Sequence, residues 1–171
     1  METELERLAR ERRERCSGCG WSWRLFGLML LCVAVGALSG AATRDSVKTW
    51  YPTLQKPFFN PPNWIFGPVW STLYILMGQS MGMAWDRGAD RLTKTAFFAL
   101  LCINGLWSLL FFGLRSPALA LVDIVAYLVL LAVWMRMLAR HDRTAARLQL
   151  PHLLWVAFAT ALNASIWWLN K

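Results

Sequence analysis

Apolar and charged positions are segregated along this chain into long blocks. Residues 25–43, 57–85, 95–114 and 148–170 contain no Asp, Glu, Lys or Arg, and residues 116–135 contain only Asp123. An apolar run of about 20 residues crosses about 30 Å of hydrocarbon as a helix. The runs lack the strict alternation of a barrel strand, and an open sheet edge in lipid would leave its amides unpaired. Five transmembrane helices are therefore expected, at about 23–42, 64–85, 95–114, 117–136 and 151–170. Short connections between spans 2–3, 3–4 and 4–5 make consecutive helices antiparallel neighbours. The predicted fold is an all-α membrane protein, a five-helix bundle over residues 21–171.

Residues 1–20 form a separate charged segment, predicted to be cytoplasmic. Glu6 precedes Arg10 and Glu11 precedes Arg15 by four, the spacing that supports a solvated helix. A secretory signal with Leu25–Ala37 as its core is the competing reading. Five Glu in the leading segment and a span-length apolar run argue against it.

Composition agrees with lipid. Hydrophobic residues make up 57% of the 171 residues and charged ones 16%, against about 45–50% and about 25% in soluble domains. The net charge of +8 is explained by topology. Arg7, Arg10, Arg12, Arg13, Arg15 and Arg24 share one side with Arg87, Arg91, Lys94, Arg136, Arg140, Arg143 and Arg147. The other side holds Arg44, Lys48, Lys56, Arg115 and Lys171. The excess of positive charge on the cytoplasmic side predicts a cytoplasmic N-terminus and an outward C-terminus. No nucleic-acid-binding motif is present, and anionic lipid is the expected partner of the cations.

The segment Arg44–Trp64 is long for a loop in so small a protein. It carries Trp50, Tyr51, Phe58, Phe59 and Trp64 among Pro52, Pro57, Pro61 and Pro62. Prolines lower the entropy cost of ordering it, and its aromatics need covering. A structured lid over the bundle satisfies both; an interfacial aromatic belt is the alternative. Below it, Phe66, Trp70, Leu73, Tyr74 and Met77 share one helical face. So do Leu100, Asn104, Trp107 and Phe111 in span 3, and Trp155, Ala159, Leu162 and Ile166 in span 5. Each stripe alone fits ordinary helix packing. Three stripes with an aromatic loop at the same end predict a pocket for a bulky flat ligand.

At these residues the sequence resembles the translocator protein family, the tryptophan-rich sensory proteins and peripheral benzodiazepine receptors. The resemblance runs over about 25–170. It is carried by Trp50-Tyr51-Pro52-Thr53-Leu54-Gln55-Lys56-Pro57, Asn60-Pro61-Pro62-Asn63-Trp64 and Gly67-Pro68-Val69-Trp70-Ser71-Thr72-Leu73-Tyr74. Further matches are Asn104-Gly105-Leu106-Trp107, Phe111-Phe112-Gly113, Ala120-Leu121-Val122-Asp123 and Trp155-Val156-Ala157-Phe158-Ala159-Thr160 with Leu162-Asn163. It implies five transmembrane helices, a homodimer, and a pocket under the first long loop that binds tetrapyrroles such as protoporphyrin IX and haem, with no cofactor required. The expected ligand site is Trp50, Trp64, Phe66, Trp70, Tyr74, Asn104, Trp107, Phe111, Trp155, Phe158, Ala159 and Leu162, of which Trp70, Asn104, Trp107, Trp155 and Ala159 match pocket positions of the family. Ala159 would tune affinity. Trp70 and Trp155 match the tryptophans implicated in light-driven porphyrin breakdown, and so are the candidate catalytic pair. The sterol-recognition pattern of span 5 is broken: residues 162–168 lack its Tyr, and the first cation is Lys171. A bacterial cell membrane is the expected location.

A porphyrin stacked on indole faces gains about 0.5–1.5 kcal/mol per ring pair beyond area burial. Its propionates want cations near the membrane surface, and Lys48 and Lys56 on the lid are the candidates, with snorkelling as the plainer role. Three functions compete: a tetrapyrrole receptor, sensor or carrier; a light-dependent porphyrin-degrading enzyme; and a transporter of cationic aromatic compounds working by cation–π contacts. The last calls for an intramembrane acid and internal repeats; Asp123 supplies the acid, but no repeat is found. Asp123 itself is either functional or structural, protonated or hydrogen-bonded between helices. No HExxH, GxSxG or phosphate loop is present, and no metal site is expected. Cys16-Ser17-Gly18-Cys19 is half a zinc site at most, and its predicted cytosolic side disfavours a disulfide. Gly36/Gly40 and Gly78/Gly82 are small-xxx-small pairs for close helix approach, within the bundle or in a dimer.

Overall fold

A computed structural model describes residues 23–171; the charged segment 1–20, with Cys16 and Cys19, lies outside it. Each apolar block folds into a helix: α1 (Trp23–Thr49), α2 (Asn63–Asp86), α3 (Arg91–Ser108), α4 (Pro117–His141) and α6 (Leu150–Leu169), with a short α5 (Arg143–Arg147) leading into α6. No strand occurs among the described residues. This is an integral membrane protein built as a helical bundle. Four stretches are long and apolar enough to cross a bilayer by length and composition: Trp23–Thr49, Arg91–Gly113, Pro117–His141 and Arg143–Leu169. The remaining helix, α2, has 24 residues, about 36 Å at 1.5 Å per residue. Its Trp, Tyr, Gly, Ser and Gln residues dilute its hydropathy because so much of it faces the interior.

The surface is inverted relative to a soluble protein. Phe26, Leu30, Leu38, Phe98, Leu106, Leu109, Val122, Val129 and Leu154 are exposed, while Asn104, Asp123, Gln149, His152 and Asn163 are buried. Contacts place the helices in a ring. α1 lies against α2 and α3, and α4 lies against α3 and α6. The rings of Phe66 and Trp155 (5.9 Å) and of Trp70 and His152 (6.1 Å) close it between α2 and α6.

Two boundaries differ from those expected. α1 continues seven residues beyond Ala42, to Thr49, with Thr43 and Thr49 hydroxyls donating to the carbonyls of Ser39 (2.8 Å) and Asp45 (2.7 Å). Lys48 therefore sits in the last turn of α1, where a cation suits the negative helix end, and not on the lid. α3 starts four residues early because Asp90 caps it, its carboxylate accepting from the Thr93 N–H at 2.7 Å. That hydrogen bond first, then the Thr93 side chain and His141, hold the Asp90 carboxyl below the usual carboxylate range.

On the same side Asp142 caps α5, accepting from the N–H groups of Thr144 (2.7 Å) and Ala145 (3.1 Å), and pairs with Arg87 Nε at 3.2 Å. At the opposite end α3 runs into a π-helical turn, Leu109–Gly113. Arg115 then takes a left-handed φ of 51°, and Ser116 caps α4 with Pro117 at its first position.

Candidate functional site

The halves of the bundle differ in packing, and glycines set the difference. A Cβ on Gly78 would fall 2.5 Å from the Met29 backbone, and one on Gly82 would fall 3.0 Å from Leu25. α1 and α2 therefore touch closely in the half away from the long loop. There Met77, Met81, Phe97, Leu131 and Trp134 fill the centre, all buried. Near the long loop, a Cβ on Gly40 or Gly67 would meet nothing within 4 Å. The helices part, and a cavity of about 400 Å³ opens between them, within the usual range of about 300–1,000 Å³ for ligand sites.

The walls come from four helices, the π turn and the loop. α2 gives Phe66, Trp70 and Tyr74; α3 gives Asn104 and Trp107; the turn gives Phe111 and Phe112; α6 gives Ala159, Leu162, Asn163 and Ile166. Trp107 stacks on Phe111 with centroids 5.2 Å apart and planes 23° apart. Its indole N–H donates to Asn163 Oδ1 (3.1 Å), and Asn163 Nδ2 donates to the Pro117 carbonyl (2.7 Å). Tyr74 OH donates to Asn104 Oδ1. Buried amides thus hold the Trp107 and Tyr74 rings, which fixes two of the flat faces lining the space.

The loop is a lid and a belt at once. Tyr51, in the 3₁₀ turn Tyr51–Thr53, points inward and lines the cavity. It packs on Phe111 and Phe112 and donates from its hydroxyl to Asn60 Oδ1 at 2.9 Å. Burial pushes its phenol pKa up, with the Asn60 bond opposing the shift. Phe58 and Trp64 face outward and are exposed, as an interfacial belt requires. The lid is tied to the end of α6 by one side chain. Asn170 Oδ1 accepts from Gln55 N–H, and Asn170 Nδ2 donates to the Gln55 carbonyl, both at 2.9 Å.

Of the residues expected in the site, Phe66, Trp70, Tyr74, Asn104, Trp107, Phe111, Ala159 and Leu162 line the cavity. Trp50 stands behind the wall, edge-on to Phe111 at 5.7 Å. Trp155 and Phe158 form an outer layer, Trp155 meeting Phe66 at 5.9 Å and Phe158 at 5.4 Å. Trp64 is on the surface. Lys48 is exposed. Lys56 Nζ donates to the carbonyls of Leu54 (3.0 Å) and Pro52 (3.3 Å) and lies 4.8 Å from the centre of the Tyr51 ring. Neither lysine is part of the wall.

Sequence reasoning missed the contribution of α1, whose Gly36, Ala37, Gly40, Thr43 and Val47 form one side. The signal was there as Gly36/Gly40. Gly36 accommodates the Tyr74 ring, which a Cβ would meet at 2.1 Å, while Gly40 stays open. No group of three or more His, Cys, Asp or Glu able to hold a metal occurs among the described residues.

Residues 28–169 match the profile of the TspO/MBR family. The chain is 43% identical over 149 residues to the tryptophan-rich protein TspO of Archaeoglobus fulgidus, spanning 86% of this chain and 97% of that one. It is 38% identical over 127 residues to the human translocator protein, spanning 69% and 73%. It is 35% identical over 150 residues to the tryptophan-rich sensory protein of Cereibacter sphaeroides, spanning 86% and 92%.

Proposed function

The chain belongs to the TspO/MBR family, and we propose that it is a membrane receptor or carrier that binds tetrapyrroles, protoporphyrin IX or a haem-like ligand, in the cavity beneath the lid. The cavity carries this reading: it is large, walled by rigid flat rings, and mainly apolar. A porphyrin macrocycle would lie against Trp107, Phe111 and Trp70. Its two propionates would turn toward the lid, where the wall offers the Asn63 side chain, while the Thr43 and Tyr51 hydroxyls already donate to the Ser39 carbonyl and to Asn60. Lys48 and Lys56 wait at the rim as cations a propionate can recruit. In the same reading the protein works in a cell membrane with the lid on the outer side.

Turnover is the second reading, and Trp70 supports it, since its indole forms part of the wall. Trp155 is one ring further out, reached through Phe66. The test is a titration of the purified protein with protoporphyrin IX in the dark, read by Trp fluorescence, followed by illumination. Saturable quenching is expected, weakened about tenfold by Trp107→Ala, which removes a stacked face and its area. Absence of saturable quenching would remove the tetrapyrrole reading. Under light, an absorbing product formed faster than from free porphyrin, and slowed more by Trp70→Phe than by Trp155→Phe, would establish the enzyme. Bleaching no faster than that of free porphyrin would leave a receptor or carrier.

A further inference from the structure

Behind the wall of the large cavity, toward α4, lies a second one of about 10 Å³, lined by Trp70, Asn104, Trp107, Asp123, Ile124 and Tyr127. That is room for about one water. Asn104, Asp123 and Tyr127 bring polar groups to it deep in the membrane span, which is where intramembrane acids mark proton or ion paths. Asp123 is 9% exposed, and its Oδ2 has no hydrogen-bond partner. Among the described residues it forms no ion pair. A buried carboxyl oxygen left unpaired is costly, so its neighbourhood should supply what completes it.

The hydrogen bonds beside this space set the tautomer of His152. Gln149 Nε2 donates to the Leu76 carbonyl (2.9 Å), which can only accept, and to Ser80 Oγ (2.8 Å). The amide orientation is thereby set, and Gln149 Oε1 faces His152 Nδ1 at 3.1 Å. Nδ1 must carry the hydrogen. In the neutral imidazole Nε2 is then an acceptor, and the Tyr127 hydroxyl lies 3.0 Å from it. Tyr127 donates to His152 and keeps its own lone pairs for the cavity. Asn104, whose Oδ1 is taken by Tyr74, also faces the Tyr127 phenol and has its NH₂ left to donate.

We propose that Asp123 is an exchangeable proton site, in which one water in the small cavity bridges Asp123 to Tyr127 and Asn104, and the proton is shared with His152 through the Tyr127 phenol. The transfer balances. The Asp123 carboxyl gives a proton to the water, and the water passes one to the Tyr127 oxygen. Tyr127 releases its own hydrogen to His152 Nε2, leaving a carboxylate and an imidazolium with no net change of charge. Other titratable groups around the thread are Cys32 from α1 and Tyr74 from α2, while α3 contributes only the neutral Asn104 and Trp107. Trp70, Asn104 and Trp107 belong to the walls of both cavities. An anionic ligand above them favours the protonated, neutral Asp123, so its binding takes up a proton. This last consequence rests on the tetrapyrrole reading; the proton site does not.

The test uses the full-length protein in lipid. Infrared difference spectra of the ligand-free protein, taken between neutral and mildly acidic pH, should show a carboxyl C=O stretch that gains intensity on acidification and is lost in Asp123→Asn. Exchange of that carboxyl proton for deuterium should be about tenfold slower in Tyr127→Phe, whereas His152→Gln, which keeps an acceptor, should give an intermediate rate. Protoporphyrin IX is then added in weak buffer. Proton uptake per bound porphyrin should be greater in wild type than in Asp123→Asn by up to one proton. A carboxyl band that ignores pH, or exchange unaffected by Tyr127→Phe, would overturn the proton site. A pH-responsive band with equal proton counts would overturn the coupling. A porphyrin that fails to bind would strike the ligand reading and leave the infrared result to decide the site.

Discussion

Single side chains set what the cavity can hold, and Ala159 is the clearest case. It is buried on α6 and faces the space between Trp70, Trp107 and the lid. A larger residue there grows into open volume and not into packed neighbours. Overpacking costs of about 1–3 kcal/mol therefore do not apply in full. Ala159→Leu is expected to leave thermal unfolding nearly unchanged while lowering porphyrin affinity about tenfold by occupying ligand space. Melting followed by circular dichroism and dark fluorescence titration separate the two effects. A variant that loses stability and affinity together would mean that Ala159 packs against a helix and not a ligand. Gly36 gives the opposite expectation, because any side chain there meets the Tyr74 ring.

The elements show what was legible in the sequence and what was not. Helix existence followed from charge-free runs, because only helices satisfy a backbone in lipid. The inward faces of α2 and α3 followed from the spacing of Phe66, Trp70 and Tyr74, and of Asn104, Trp107 and Phe111. Periodicity finds a face but not the depth at which its neighbours part. The α6 stripe therefore mixed Trp155, outside the wall, with Ala159, Leu162 and Ile166 inside it. α1 had no aromatic stripe, and its wall of Gly36, Gly40 and Thr43 could be seen only once the glycines were placed against α2. The end of α1 is hidden because Arg44, Asp45 and Lys48 break the apolar pattern without breaking the helix. The lid's anchor was equally invisible, since Asn170 meets Gln55 across 115 residues of chain. Two hydrogen bonds at about 0.5–1.5 kcal/mol each hold that contact. Asn170→Ala should speed amide hydrogen exchange over the lid, residues 50–62, several-fold, with little change in the helices. Unchanged exchange there would show that the ring contacts of Tyr51 and of Phe59 with Phe158 hold the lid without Asn170.

At the scale of the molecule, an exterior of exposed apolar side chains fits only one solvent, and the described chain runs from Trp23 at one end of the bundle to Lys171 at the other. The lid, Arg115 and the C-terminal Lys171 lie at one end of the bundle, as the Gln55–Asn170 contact requires. The turns Arg87–Asp90 and Asp142–Gln149 lie at the other, joined by the Arg87–Asp142 pair. Eight of the described Lys and Arg residues belong to that second end and five to the lid end. Since positive charge stays in the cytoplasm, the lid end should face outward. A cell-impermeant thiol reagent tests this directly. Intact cells should be labelled at Lys171→Cys and not at the native Cys16 and Cys19, while inverted vesicles should show the reverse. Cys102 is exposed near the middle of α3 and is expected to lie in lipid, out of reach of a charged reagent from either side. Labelling of both ends from one face would break the five-crossing topology. Labelling with the two faces exchanged would keep the bundle and its cavity but turn the lid to the cytoplasm, so that any anionic ligand would be taken from the cell interior.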